Sequence, residues 1–259
     1  RSGPVVAGHV RMASAPSMCV TFKKERVMSD ELRVVKGTAA RLRDGNPEPR
    51  VPCVLLLDVS GSMSGDKIHE LNAGLETIRT ELLKDEQAAR RVELAVVTFG
   101  GKVEVAQDFT LPSEFKPPVL VADGDTPMGA AILRAYELVE KRTARYEASD
   151  LDSYEPWVFM VTDGDPTDEA EVLESAIQRI RQADAQERGR RIAFFAVGVE
   201  GANMQRLARI SKRPPLKLRG LSFARMFRWV SQSLTRVSRT EIGDRTPLIN
   251  PVVAGWGEP

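Results

Sequence analysis

Three oxygen-bearing side chains, Asp58, Ser60 and Ser62, alternate at a spacing of two behind an unbroken apolar run, Val54-Leu55-Leu56-Leu57. Such a run reads as a buried strand, which places the carboxylate and the hydroxyls at its C-terminal end. Ligands bind at that end in open α/β sheets. Gly61 lets the backbone turn tightly enough for the three oxygens to converge. Oxygen donors of this kind suit a hard divalent cation, Mg²⁺ before Mn²⁺ or Ca²⁺, and disfavour zinc and copper.

A second apolar run, Trp157-Val158-Phe159-Met160-Val161, leads into Thr162-Asp163 and repeats the layout, so two strands present acids at one sheet edge. The elements that must position these acids follow from periodicity. Ile68, Leu71, Leu75, Ile78 and Leu82 share one face of a helix over 66–83. A strand is expected over 93–99, a two-residue turn at Gly100-Gly101, and an antiparallel partner over 102–109 with Val103 and Val105 alternating. A proline-rich loop leads to a helix carrying Ile132, Tyr136 and Val139. A helix over 167–186 buries Val172, Ala176, Ile177 and Ile180, with acids at its start where the dipole favours them. Asp165 and Asp168 read there as turn and capping residues. A strand over 192–197, a short edge strand over 216–218 and a helix over 222–239 with Phe223, Phe227, Val230, Leu234 and Val237 inward complete the pattern. Alternation of this kind implies an α/β fold: a doubly wound, mostly parallel central sheet with one antiparallel edge strand and helices on both faces.

The totals fit one soluble core. The chain has 259 residues, 42% of them hydrophobic and 28% charged, as in ordinary globular proteins. No window reaches the apolar length of a membrane span and no signal-peptide core is evident near the start, while Cys19 and Cys53 are too few for a disulfide framework. A reducing, cytoplasmic setting is expected. Residues 1–50 read as an N-terminal extension or an appended segment, with a short strand at 20–22 and weak helical character over 30–42; Met12, Met18 and Met28 are alternative natural starts. The main domain is expected over 51–240. The tail, 241–259, shows no periodicity and reads either as disordered or as a segment that folds back or inserts into a partner through Trp256.

The net charge of +1 conceals a split: ten acidic and no basic residues over 146–176, and eleven basic against two acidic over 203–245. Such runs are ordinarily solvated faces, and either one is a candidate for docking an oppositely charged partner. Arg225, Arg228 and Arg236 with Trp229 on the last helix keep nucleic-acid association as an alternative.

The Asp-x-Ser-x-Ser pattern resembles the metal-ion-dependent adhesion site, MIDAS, of von Willebrand factor A domains. The resemblance implies two further site residues on separate loops, and both are present in order: Thr126 within Asp123-Gly124-Asp125-Thr126-Pro127, and Asp163 within Val161-Thr162-Asp163-Gly164-Asp165. It implies that the Ser60 and Ser62 hydroxyls hold the ion, that Thr126 engages it in some states, and that Asp58 and Asp163 act through bound water. It further implies a protein partner that completes the coordination with an Asp or Glu. The loops are similar to those of intracellular bacterial TerY-type proteins, which implies a scaffold in a stress, tellurium-resistance or defence system with a kinase and a phosphatase as partners. A subunit serving an AAA+ ATPase chelatase or remodelling complex is the alternative within the family.

Enzymatic readings fit less well. A two-metal hydrolase needs more carboxylates at the ion, an aspartyl-phosphate enzyme of one large group needs Asp where Ser60 stands, and no phosphate-binding Gly-rich Lys loop is present. His9 and His69 offer no Ser–His or Cys–His pairing, and His69 lies on the polar side of its helix as a surface residue. The chain reads as a binding module, not an enzyme.

Overall fold

The computed structural model describes residues 45–186, 191–244 and 246–258, with Gly3 and Leu42 besides. The strand expected at 20–22 lies outside the described residues, as does the helix expected over 30–42 apart from Leu42.

Among the described residues seven strands form one sheet: β1 (Val51–Asp58), β2 (Val92–Gly100), β3 (Lys102–Thr110), β4 (Trp157–Thr162), β5 (Ala193–Gly198), β6 (Leu216–Leu218) and β7 (Gly257–Glu258). Their spatial order is β3-β2-β1-β4-β5-β6-β7. β1 runs parallel to both β2 and β4, and β4, β5 and β6 continue in parallel. β3 is antiparallel at one edge, so the expected doubly wound, mostly parallel sheet is the one observed.

β1 is apolar without interruption because both of its faces are covered. Cys53, Leu55 and Leu57 join one core cluster and Val54 and Leu56 the other, as period-two side chains must. The first face is covered by α1 (Asp66–Leu83) and α6 (Phe223–Ser238), through Leu71, Leu75 and Ile78 of one and Phe223, Phe227 and Val230 of the other. A Cβ on Gly74 would lie 2.5 Å from the Phe227 ring, so a glycine in mid-helix is what lets these two helices meet. The second face is covered by α3 (Met128–Ala148), α4 (Ala170–Asp184) and the short α5 (Met204–Ile210). The six-residue α2 (Glu86–Arg91) connects α1 to β2. No described helix is long and apolar enough to cross a membrane.

Three details depart from expectation, and a fourth decides between two readings. Gly100 belongs to β2 and pairs with Lys102, so the hairpin turns on Gly101 alone, in the left-handed region at φ 63°. α4 begins only at Ala170, with Glu169 as its N-cap, while Thr167 is bonded to Thr126 and Asp168 to the first amides of α3. β6 is not an edge strand, since the two-residue β7 pairs with it antiparallel and forms that edge. Lastly, the described part of the tail folds back. Trp256 is fully buried with its ring centroid 5.2 Å from that of Trp229, whose indole N–H donates to the Ile249 carbonyl at 2.8 Å. One large side chain closes that end of the core, which leaves no periodic trace in the sequence.

At the N-terminal edge of the sheet a carboxylate is buried with cations of its own. Glu93 Oε1 accepts from Arg50 Nε at 3.1 Å, and Oε2 accepts from Arg142 Nε at 2.7 Å and from the Tyr146 hydroxyl at 2.5 Å. Arg142 also stacks against Phe109 and Tyr146. Burial and the Glu93 carboxylate push the Tyr146 phenol well up, which keeps it a donor.

Candidate metal centre

From β1 the chain goes to β2 on one side, while β4 lies on the other, so the crevice at the C-terminal ends of β1 and β4 is the topological switch point of the sheet. Asp58 ends β1 and is fully buried. Its Oδ1 accepts from the Ser60 amide at 2.8 Å, which bends the loop back, and its Oδ2 accepts from the Thr162 hydroxyl at the end of β4. A single turn of 3₁₀ helix, Gly61–Met63, then brings the Ser60 and Ser62 hydroxyl oxygens to 3.1 Å of each other. The Ser62 hydroxyl donates to Asp163 Oδ1 at 2.6 Å. Lys67, in the first turn of α1, forms an ion pair with Asp163 Oδ2 and donates to the Ser62 carbonyl at 3.4 Å.

Thr126 reaches the same place from a different direction. Its loop is bonded to both neighbours: Asp123 N to Val59 O at 2.8 Å, Gly61 N to Gly124 O at 2.9 Å and Gly101 N to Asp125 O at 2.9 Å. Bare backbone is needed for that fit. A Cβ on Gly100 would sit 2.4 Å from the Val59 carbonyl oxygen, and one on Gly124 would sit 2.5 Å from Gly101 Cα. The Thr126 amide donates to the Thr167 hydroxyl at 3.1 Å, and its carbonyl accepts from Met128 N at 2.7 Å and Thr167 N at 3.0 Å. The backbone of Thr126 is thereby satisfied, and its hydroxyl is left for the crevice. Thr126 Oγ1 and Asp58 Oδ2 lie 3.1 Å and 3.7 Å from the point where a Gly164 Cβ would stand, so both border one spot.

The structure thus brings Asp58, Ser60, Ser62, Thr126 and Asp163 together from three loops. Asp168 serves a different purpose from the one expected of it. Its two carboxylate oxygens accept from Gly129 N at 2.7 Å and Ala130 N at 3.0 Å, capping α3 and not its own helix, and Asp165 faces Arg206 at 3.4 Å. Sequence reading also passed over Lys67 and Thr162. Thr162 carried a signal, being a hydroxyl that closes an apolar strand; Lys67 carried none, because a lysine in the first turn of a helix is ordinarily solvated.

Burial pushes the Asp58 carboxyl up, hydrogen bonds from Ser60 and Thr162 pull against that, and the nearby Asp163 adds repulsion. Two buried carboxylates among neutral hydroxyls make a strongly electronegative pocket with Lys67 as its cation. The donor set fits a small divalent ion. Two oxygens about 2.1 Å from a Mg²⁺ and at right angles lie about 3 Å apart, which matches the Ser60–Ser62 separation of 3.1 Å. Among the described residues no cluster of three His, Cys, Asp or Glu side chains could hold a metal, so any site here is a hydroxyl-rich one.

Comparison with known proteins bears on the fold. No curated protein matches the chain. Among solved structures, proximal thread matrix protein 1 from the mussel byssus, determined with a zinc-occupied MIDAS motif, superposes with a TM-score of 0.51 at 15% identity, covering 73% of this chain and 49% of that one. The pilus adhesin SpaC from Lactobacillus rhamnosus GG in its open conformation gives a TM-score of 0.57 at 11% identity over 74% of this chain and 31% of that one. The D319A mutant of the PilB minor pilin from Streptococcus sanguinis gives 0.52 at 12% identity over 71% and 61%. The chain therefore spans about half the length of the mussel protein. The family model of the von Willebrand factor type A domain matches residues 53–225, two-thirds of the sequence, and the chain belongs to that family.

Proposed function

We propose that this chain is a metal-dependent protein-recognition module. The observation that carries the proposal is the convergence of Ser60, Ser62 and Thr126 hydroxyls on the switch-point crevice, with Asp58 and Asp163 buried behind them. The Ser60, Ser62 and Thr126 oxygens would hold the ion. Asp58, both of whose oxygens already accept hydrogen bonds, fixes the loop, and Asp163 orients the Ser62 hydroxyl. A divalent ion held mainly by neutral oxygens supplies an electrophilic position that a partner's Asp or Glu can complete. Mg²⁺ is the proposed ion; zinc joins Mn²⁺ and Ca²⁺ as an ion to test, given the zinc in the mussel protein.

The loop sequences support a TerY-type scaffold working with a kinase and a phosphatase in a stress or tellurium-resistance system, and the sparse use of cysteine supports a cytoplasmic setting. SpaC and PilB are pilus proteins, so the fold alone assigns no compartment. Trp229 is buried in the core and Arg228 contacts Glu81 at 3.3 Å, which takes the stacking aromatic away from the nucleic-acid alternative.

Thermal unfolding in EDTA and in millimolar Mg²⁺, Mn²⁺, Ca²⁺ and Zn²⁺ tests the reading. At a hundredfold excess over Kd an ion bound only by the folded state adds about 2.7 kcal/mol, which for a domain of this size raises Tm by about 5–10 °C. Asp58→Ala should abolish that rise. A rise of equal size in Asp58→Ala, or none in the wild type, would refute the assignment.

A further inference from the structure

Beside the crevice runs a stretch of chain that belongs to no sheet yet alternates in burial as an extended strand does. Over 119–122 the residues are exposed, buried, exposed and half-buried in turn, with Leu120 in the core and Val119 and Val121 at 87% and 74% exposure. Leu120 is held the way a strand neighbour would hold it: its amide donates to Asn72 Oδ1 at 2.8 Å, and its carbonyl accepts from Asn72 Nδ2 at 2.9 Å. In extended backbone the amide and carbonyl groups of adjacent residues point to opposite sides. The groups of Val119 and Val121 therefore face away from Asn72, and no described residue bonds them. Asn72 has in effect converted a loop into one free strand edge, carrying two bare valines.

This edge leads straight to the site. Asp123 is bonded to Val59, and Gly124 to Gly61 between the two serines. Val121 stands three positions before Gly124, at most about 11 Å away along the chain. The loop that follows is acidic: Asp123 and Asp125 are exposed, and neither forms an ion pair among the described residues.

Resting on the metal-dependent reading above, we propose that residues 119–121 dock an extended segment of the partner protein. That segment pairs its backbone with the free groups of Val119 and Val121 and lays branched apolar side chains on the two valines. It carries its carboxylate about three residues further on. Lys or Arg beside that carboxylate meet the acidic loop, because an acid-flanked segment would be repelled by it.

Random linear dodecapeptides displayed on phage, selected on the full chain in Mg²⁺ and then measured as labelled synthetic peptides by fluorescence anisotropy, test the proposal. Selected peptides should alternate apolar residues ahead of an Asp or Glu with a basic neighbour. Val121→Pro removes one backbone donor, and Val119→Asp places a charge on a side chain that already faces solvent, so its folding is unaffected. Each should weaken binding about tenfold, with an unchanged Tm. Peptides that need Mg²⁺ and Asp58 but ignore both valine variants would overturn the docking edge and leave the metal reading standing. Peptides lost with the valine variants yet indifferent to EDTA and Asp58→Ala would keep the edge and remove the metal reading. A concentration-dependent dimer abolished by Val121→Pro would give the edge to a second copy and overturn the proposal, as would selection that enriches nothing.

Discussion

At the N-terminal edge of the sheet Glu93 is buried between Arg50, Arg142 and Tyr146, whereas at the C-terminal edge Asp58 and Asp163 are buried among hydroxyls with Lys67 as their cation. Both clusters remove carboxylates from water, which is costly unless the charge is compensated. The Glu93 cluster is compensated twice over by guanidinium groups from the same chain, and it has nothing further to gain from solution. The Asp58 cluster is compensated mostly by dipoles. Neutral donors hold carboxylates in place without cancelling their charge, so this end of the sheet still favours a cation from outside. The same residue type serves as an internal brace at one end and as a recognition device at the other, and the counter-charge decides which.

The largest effect should come from unbalancing the brace. Glu93→Gln leaves two nearly buried guanidinium groups facing a neutral amide, and loss of one partner from a buried pair costs about 3–5 kcal/mol. Urea unfolding should show that loss equally with and without Mg²⁺; a metal-dependent loss would mean that the two ends are coupled. A smaller effect tests the recognition end. Lys67→Met removes the cation that competes for Asp163, so divalent affinity should rise about tenfold in a calorimetric titration, while stability in EDTA falls by about 1–3 kcal/mol because the buried Asp163 carboxylate loses its charged partner and keeps only the Ser62 hydroxyl. Weaker metal binding in Lys67→Met would show that Lys67 arranges Asp163 and does not compete for it. The smallest effect concerns an acid of a third kind, compensated by amides alone. Asp168→Ala removes the cap of α3 and should cost about 1 kcal/mol in the same urea experiment, and an unchanged midpoint would contradict the capping role.

The contrast between the two ends also explains what could be read from the sequence. Continuous apolar runs ending in Asp58 and in Thr162-Asp163 announce strands buried on both faces, because covering both faces forbids alternation. Helices α1, α3 and α6 announce themselves through their spacing. The Glu93 brace does not, since Arg50, Arg142 and Tyr146 stand 43 to 53 positions from Glu93. Lys67, Asp168 and Asn72 are silent for the same reason: each acts on a segment far along the chain, through one or two hydrogen bonds that no local propensity encodes. Gly100-Gly101 reads as a two-residue turn because local statistics favour one. In the fold Gly100 pairs with Lys102 as the last residue of β2, and it is glycine because Val59 and Asp123 leave no room for a Cβ there.

The contact of Gly100, Gly101 and Gly124 has a mechanical consequence. With backbone resting on backbone, the Thr126 loop, the serine loop and the tip of the β2–β3 hairpin form one block and not three independent segments. A displacement of Thr126 must carry Gly124 with it, and Gly124 has no slack against Gly101. A movement made at the crevice would therefore press on the hairpin at the outer margin of the sheet, which β3 forms.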